Sequence, residues 1–441
     1  MLKDNSAVII GGGLAGCEAA WQLLRRGHRV QMYEMKPRKF SPAHKMENLA
    51  ELVCSNSLKS NSLDNAAGLL KEEMRRLNSL IMTAADKTAV AAGSALAVDR
   101  IEFAREVEEG LKQHKNFTLD RVEITEIPKD DLTIIATGPL TSDTMALQIA
   151  RMLDSSYLYF YDAIAPIIEA DSIDMDKIFR ASRYDKGTPD YLNCPLDRNE
   201  YELFLRELLA SEKVALRAFE EVRHFESCLP VEVLAARGEQ SLAFGPMKPV
   251  GLINPKTGLI AHAIVQLRRE NAAGTLYNMV GFQTKLTWPE QRRVFRLIPG
   301  LQNARFARLG SIHRNTFIHS PALLAPSLQL KKNENILFAG QITGVEGYTE
   351  SAAMGILAGL NAAFILEGKK LPPPPAETAI GALLNYITSP ESAARFAPMN
   401  INFGLLNIQT AKRISKKEKN SMLVNQALGS LDSWIASHIK D

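Results

Sequence analysis

Residues 7–16 read AVIIGGGLAG, a short apolar run ending in Gly11, Gly13 and Gly16 at G-x-G-x-x-G spacing. The next stretch, CEAAWQLLRRG, has apolar residues at helical spacing, and HRVQMYEM then makes a second strand-like run that reaches Glu34. Strand, glycine turn, helix, strand and terminal acid, in that order, are the parts of a βαβ dinucleotide-binding unit. Gly11 permits the tight turn, Gly13 lets backbone approach a pyrophosphate, and Gly16 lets the helix pack close to the strand. Leu14 and Ala15 open a helix whose N–H groups and partial positive charge face the phosphates. Glu34 is expected to accept from ribose hydroxyls and would repel a 2′-phosphate, so the expected nucleotide is FAD or NAD rather than NADP.

Two further stretches favour FAD. LTIIATGP, residues 132–139, is an apolar strand that turns at Gly138. ILFAGQITGVEGYTESAAMGILAG, residues 336–359, is a strand ending at Gly340, a loop punctuated by Gly344 and Gly347, and a helix of small residues. Such a helix start can aim its N–H groups at a flavin or its pyrophosphate, and Tyr348 at its mouth is expected to stack on the ring. Glycine-rich strand ends near both ends of the chain point to an α/β fold, with a Rossmann-like FAD-binding domain of the glutathione-reductase type.

The chain has 441 residues, 46% of them hydrophobic, and its 52 basic and 49 acidic residues leave a net charge of +3. A polyanionic partner must therefore meet a local patch rather than the whole surface. No secretory or transit segment is expected, because the polar MLKDNS runs straight into the first strand. Residues 352–366 read as a buried helix shorter than a bilayer span, which makes a soluble, cytoplasmic protein with no membrane contact the expectation. The four cysteines, Cys17, Cys54, Cys194 and Cys228, show neither C-x-x-C spacing nor neighbouring histidines. No metal site and no disulfide framework are expected. Cys17 and Cys194 read as packing residues. Cys54 is different: ELVCSNSLKSNS has no apolar face to bury it.

The expected organisation is a discontinuous FAD-binding domain, residues 1–155 and 310–370, interrupted by an α/β insertion at 156–309 that covers the flavin. The polyproline spacer LPPPP then leads, over 371–441, into a C-terminal helical segment packing on the FAD domain. Within the insertion, RNEYELFLRELLAS has amphipathic helical spacing.

Five stretches together resemble the folate- and FAD-dependent tRNA (uracil-5-)-methyltransferases: IIGGGLAGCEAA, ENLAELVCSNSLKSN, HFESCLPVEVLAARG, GFQTKLTWPEQRRVF and FAGQITGVEGYTESAAMG. They span nearly the whole chain. The resemblance implies methylation of carbon 5 of a T-loop uridine in tRNA. Methylenetetrahydrofolate would be the carbon donor, reduced FAD the methylene carrier and hydride source, and NADH or NADPH the reductant. It also makes Cys54 and Cys228 catalytic. Cys228 is assigned as the nucleophile at carbon 6 and Cys54 as the group that takes the carbon 5 proton, with the reverse division left open. A thiolate is the reactive form, and basic groups or a helix N-terminus lower its pKa. For Cys54 the sequence offers Lys59 and a helix expected to begin near Ser57 or Ser62.

The family holds folate between the flavin and a histidine, which makes His313 and His319 the candidates, with Arg314 for the folate's carboxylates. RNA contacts are expected from Lys412, Arg413, Lys416 and Lys417 in AKRISKKEKN, with Arg292, Arg293 and Arg296 as a second cluster. No protein partner is expected. The alternatives are methylation of ribosomal RNA by the same chemistry, a small-molecule NAD(P)H:flavin oxidoreductase, or a flavin-dependent RNA-binding scaffold.

Overall fold

The computed structural model describes residues 5–128, 130–154, 158–185, 188–214, 229–406 and 415–439. Its first sheet has six strands in the order Gln329–Leu330, Asn333–Phe338, Leu132–Ile135, Ser6–Ile10, Arg29–Tyr33 and Phe117–Asp120. All neighbours pair in parallel except the hairpin at the 329–338 edge. The strand Leu132–Ile135 is buried along its whole length, as a parallel strand covered on both faces must be. From Ser6–Ile10 the chain leaves to one side for Arg29–Tyr33 and Phe117–Asp120, and Leu132–Ile135 and Asn333–Phe338 then add on the other. The strand order therefore reverses beside the carboxyl end of Ser6–Ile10, where nucleotides bind in doubly wound sheets.

Two helices pack against each other over this switch point. Leu14–Arg25 follows the glycine turn, and Tyr348–Leu366 follows the glycine-punctuated loop. A Cβ on Gly355 would stand 2.3 Å from the Ala15 carbonyl oxygen, and one on Gly359 would stand 2.6 Å from that of Ala19. The glycines thus allow backbone-to-backbone contact that any side chain would block. The later helix is 19 residues long, so the expectation of a segment shorter than a bilayer span fails on length. Every residue from Thr349 to Phe364 is nevertheless buried, and its apolar surface faces this core.

The second sheet also has six strands, all antiparallel: Phe179–Arg180, Leu192–Leu196, Ala263–Arg269, Leu276–Met279, Ile167–Glu169 and Phe306–Arg308. It has its own core, to which Cys194 and Phe204 contribute. The amphipathic segment forms the helix Arg198–Ala210, started by a capping box between Asp197 and Glu200. A two-stranded ladder, Leu158–Ile164 with Ser311–Phe317, carries the chain into and out of this sheet. Beyond the prolines, helices Ala379–Thr388 and Lys416–His438 return to the first sheet's side: Trp434 Nε1 donates to the Pro372 carbonyl at 3.0 Å, and Arg76 pairs with Asp432 at 2.6 Å.

Candidate active site

The glycine turn builds an open cradle. Gly11 has φ +105°, and a Cβ there would lie 2.6 Å from the Ala136 carbonyl oxygen; on Gly16 it would lie 1.9 Å from that of Gly11. Gly13 is the exception, because a Cβ there meets nothing within 4 Å. It is the N-cap of Leu14–Arg25, no side chain caps that end, and its first turn carries no acid. Backbone donors and a positive helix end therefore face a cleft lined by Gly11, Gly13, Leu14, Ala15, Glu34, Gly138, Gly340 and Tyr348. Glu34 stands at the end of its strand with its carboxylate buried, accepting from Gly12 N at 2.8 Å and Lys36 N at 3.0 Å. Turn, helix terminus and ribose-height carboxylate together fit a dinucleotide's pyrophosphate and adenosine.

A second cavity adjoins the first, and Val53, Pro139, Leu140, Gln341 and Tyr348 line both. Its wall carries Cys54, Ser55, Lys59, Arg268, Gln283, Asn315, Glu346 and Gly347. Cys54 is half-buried. Its position is set by hydrogen bonds from three directions. The Tyr348 hydroxyl accepts from the N–H of Cys54 at 2.7 Å and of Ser55 at 3.2 Å. Arg268 donates to Ser55 Oγ at 3.0 Å and to Asn56 Oδ1 at 3.2 Å. The Asn56 amide, fully buried, donates to the carbonyls of Val98, Arg269 and Glu270 at 2.9, 3.1 and 3.2 Å. The cysteine loop is thus stitched to the helix Tyr348–Leu366 and to the inserted sheet at once.

No helix begins at Ser57 or Ser62. Ser57–Ser60 is a strand paired with Ala95–Val98, and the next helix starts at Ala66. Hydroxyls of Ser55, Ser57 and Ser60 accept the N–H groups two residues on, and such local bonds compete with a helical ladder. Lys59 is also spoken for: its ammonium donates to Glu350 at 2.8 Å and to Asn400 at 2.9 Å. Burial pushes the Tyr348 phenol well above its ordinary value, with the Cys54 charge adding to the effect. Arg308 is lowered by burial first and by neighbouring Arg100 second, while Tyr348, Cys54 and Glu51 raise it. Two arginines, 268 and 308, therefore stand beside the Cys54 loop. Neither is near it in sequence.

The other sequence candidates are distributed unevenly. Cys228, Lys412 and Arg413 lie outside the described residues. Lys416 and Lys417 open the helix Lys416–His438, and His313 and Arg314 lie in the strand Ser311–Phe317; the side chains of all four lie outside the described ones. His319 lines neither cavity; its Nε2 is 3.0 Å from the Ala393 carbonyl and its ring meets Phe396 edge-on. Gly344 sits against Phe396 rather than in either cavity wall. Of the second arginine cluster, Arg293 is held by Glu290 and Glu207, and Arg296 donates to the Ala304 carbonyl. Cys17 is buried, with Sγ 3.4 Å from the Gly12 carbonyl, and Cys194 is buried in a strand; burial raises both thiols. Among the described residues, no three His, Cys, Asp or Glu side chains group to hold a metal.

A reversing parallel sheet, a glycine cradle at a helix terminus and a terminal acid define a dinucleotide-binding protein of the Rossmann class. Comparison with known proteins narrows this. The family described as glucose inhibited division protein A matches residues 6–370. A Syntrophus aciditrophicus protein named methylenetetrahydrofolate--tRNA-(uracil-5-)-methyltransferase TrmFO is 61% identical over 435 residues, 98% of each chain. A Geotalea uraniireducens protein of the same name is 59% identical over 99% of each chain. The chain belongs to this family, within its TrmFO branch. In fold it matches Aquifex aeolicus GidA, with a TM-score of 0.70 at 16% identity over 97% of this chain and 76% of that one.

Proposed function

We propose that this protein methylates carbon 5 of a uridine in the T-arm of tRNA, with methylenetetrahydrofolate as carbon donor. The observation that carries the reading is the junction at Tyr348, where a dinucleotide cleft opens into a cavity walled by an accessible thiol. The names of relatives at 61% and 59% identity support it. Held in the cleft, FAD would supply the methylene-carrying and hydride chemistry, with NADH or NADPH as its reductant.

The chain's own residues hold and orient. Gly11, Gly13, Leu14 and Ala15 receive the pyrophosphate while Gly16 lets their helix close on the turn, Glu34 receives the adenosine ribose, and Gly138, Gly340, Gly347 and Tyr348 the flavin end. Residues 1–155 and 310–370 act as the FAD-binding part, and 156–309 as the insertion that covers the flavin; their separate cores support that division. Cys54 takes the carbon 5 proton, while Cys228 adds to carbon 6. Lys412, Arg413, Lys416 and Lys417 contact RNA phosphates, and His313 or His319 with Arg314 receives the folate.

Purified protein is incubated with NAD(P)H, labelled methylenetetrahydrofolate and unmodified tRNA transcript. Label in 5-methyluridine of the T-arm is the expected result. A yellow protein that transfers label only to ribosomal RNA, or to no RNA, overturns the reading.

A further inference from the structure

Arg268 is an anomaly that the reading so far leaves unused. It comes from the strand Ala263–Arg269 of the inserted sheet, is only 8% exposed, and lines the cavity that holds Cys54. A buried guanidinium costs several kcal/mol in lost hydration unless an anion answers it. Its hydrogen-bond acceptors, Ser55 Oγ and Asn56 Oδ1, are neutral, and among the described residues no carboxylate lies in ion-pair range. Those two bonds use two of its five N–H donors and brace the planar group from behind. The other cation among the described residues on this wall, Lys59, is already matched by Glu350. Glu346, the one carboxylate among the described residues on the wall, accepts from Gln341 Nε2 at 2.6 Å. Among the described residues that line it, the cavity thus presents one rigid cation without a carboxylate partner. Arg308 stands beside the loop but outside this lining and donates to the Ala43 carbonyl.

We propose that Arg268 is a further catalytic residue, binding O4 of the target pyrimidine and stabilising the negative charge that develops there. This rests on the uridine-methylation reading and deepens it. When a thiolate adds to carbon 6, the S–C6 bond forms and the C5=C6 pair shifts toward C4, leaving its charge on O4 as an enolate. Nothing is oxidised or reduced in that step. A preorganised fork in a dry site acts on such developing charge far more strongly than it would in water. Its placement agrees with the division of labour at the thiols. Carbon 4 is bonded to carbon 5, so a cation braced by Ser55 and Asn56 puts O4, and hence the carbon 5 proton, beside Cys54. The carbon 6 nucleophile then comes from the far side of carbon 5.

The test uses FAD-loaded protein and an RNA stem-loop carrying 5-fluorouracil, with the rate of covalent adduct formation measured for wild type, Arg268→Gln and Arg268→Lys. Losing one oxyanion donor typically costs about a hundredfold or more. Arg268→Gln should slow adduct formation by roughly that factor, and Arg268→Lys should regain at least about tenfold. FAD content and the KM for methylenetetrahydrofolate should stay at wild-type values. Equal rates for the Gln and Lys variants at unchanged melting temperature overturn the assignment, as does an adduct rate within about twofold of wild type in Arg268→Gln. A raised folate KM with an unchanged adduct rate assigns the guanidinium to the folate carboxylates and overturns it too. If wild-type protein forms no adduct, the uridine reading falls and takes this one with it.

Discussion

The Tyr348 hydroxyl accepts the Cys54 backbone N–H at 2.7 Å, joining residues 294 positions apart. The tyrosine stands at the start of a helix locked by Gly355 and Gly359 against Leu14–Arg25, so the thiol loop inherits the rigidity of the dinucleotide site. Tyr348→Phe keeps the ring and leaves the N–H groups of Cys54 and Ser55 without this acceptor, a loss of about 1–3 kcal/mol. Bound FAD, read from its absorbance, should persist. Methyl transfer should fall at least about tenfold. Wild-type turnover in this variant would show that the hydroxyl does not position Cys54.

The cradle separates two kinds of glycine. Gly13 has φ −77° and open space in front of it, so Gly13→Asp should fold normally yet place a carboxylate where phosphates bind. That variant should purify colourless with a melting temperature close to wild-type apoprotein. Gly16→Ala sets a Cβ 1.9 Å from the Gly11 carbonyl oxygen and should lower the melting temperature by several degrees.

Three described thiols should react at very different rates. Cys54 is half-buried on a cavity wall, whereas Cys17 and Cys194 are buried and held in their neutral form. Iodoacetamide near pH 8, followed by peptide mass mapping, should label Cys54 within minutes and leave the other two untouched until denaturant is added. Early labelling of Cys17 would mean that the glycine-cradle helix opens in the folded protein.

Two buried carboxylates give the fold a pH dependence of defined sign. Glu18 accepts from the N–H groups of Leu80 and Ile81, and Glu73 from those of Ala379 and Ile380. Burial raises them to about 7 and about 8 respectively, outweighing those hydrogen bonds. An acid raised in the folded state stabilises it fully below the unfolded value near 4.5, and that stability is lost as pH climbs through the folded value. Stability should therefore fall between about pH 5 and 8, by up to about 1.4 kcal/mol per pH unit for each group. Urea midpoints for wild type and Glu73→Gln should diverge in slope across that window. Parallel slopes would assign the dependence to other groups.

The dinucleotide site was legible in the chain because its physics is local. A glycine turn, a helix terminus and an acid at the end of the next strand lie within about thirty residues, and each residue type answers a steric or electrostatic demand of its own neighbours. The helix Arg198–Ala210 was legible for the same reason: spacing and capping are short-range. Cys54 could be singled out only negatively, as a thiol with no apolar face around it. Its surroundings read wrongly from the sequence, since the expected cation, Lys59, turns to Glu350, and the expected helix is a strand tied by serine hydroxyls.

What the thiol meets depends on which distant segments the two sheets bring together. Tyr348 arrives on the helix after the last parallel strand, and Arg268 on an antiparallel strand of the insertion. Tyr348 could be read locally as a residue at a helix mouth but not as the partner of Cys54. Arg268 carries no local signal, because an arginine near the end of a strand reads as solvated until the third dimension buries it. Short-range sterics and capping wrote the nucleotide cradle into consecutive residues. Long-range packing alone placed a braced guanidinium and a tyrosine hydroxyl at one cysteine, through contacts whose partners lie hundreds of residues apart.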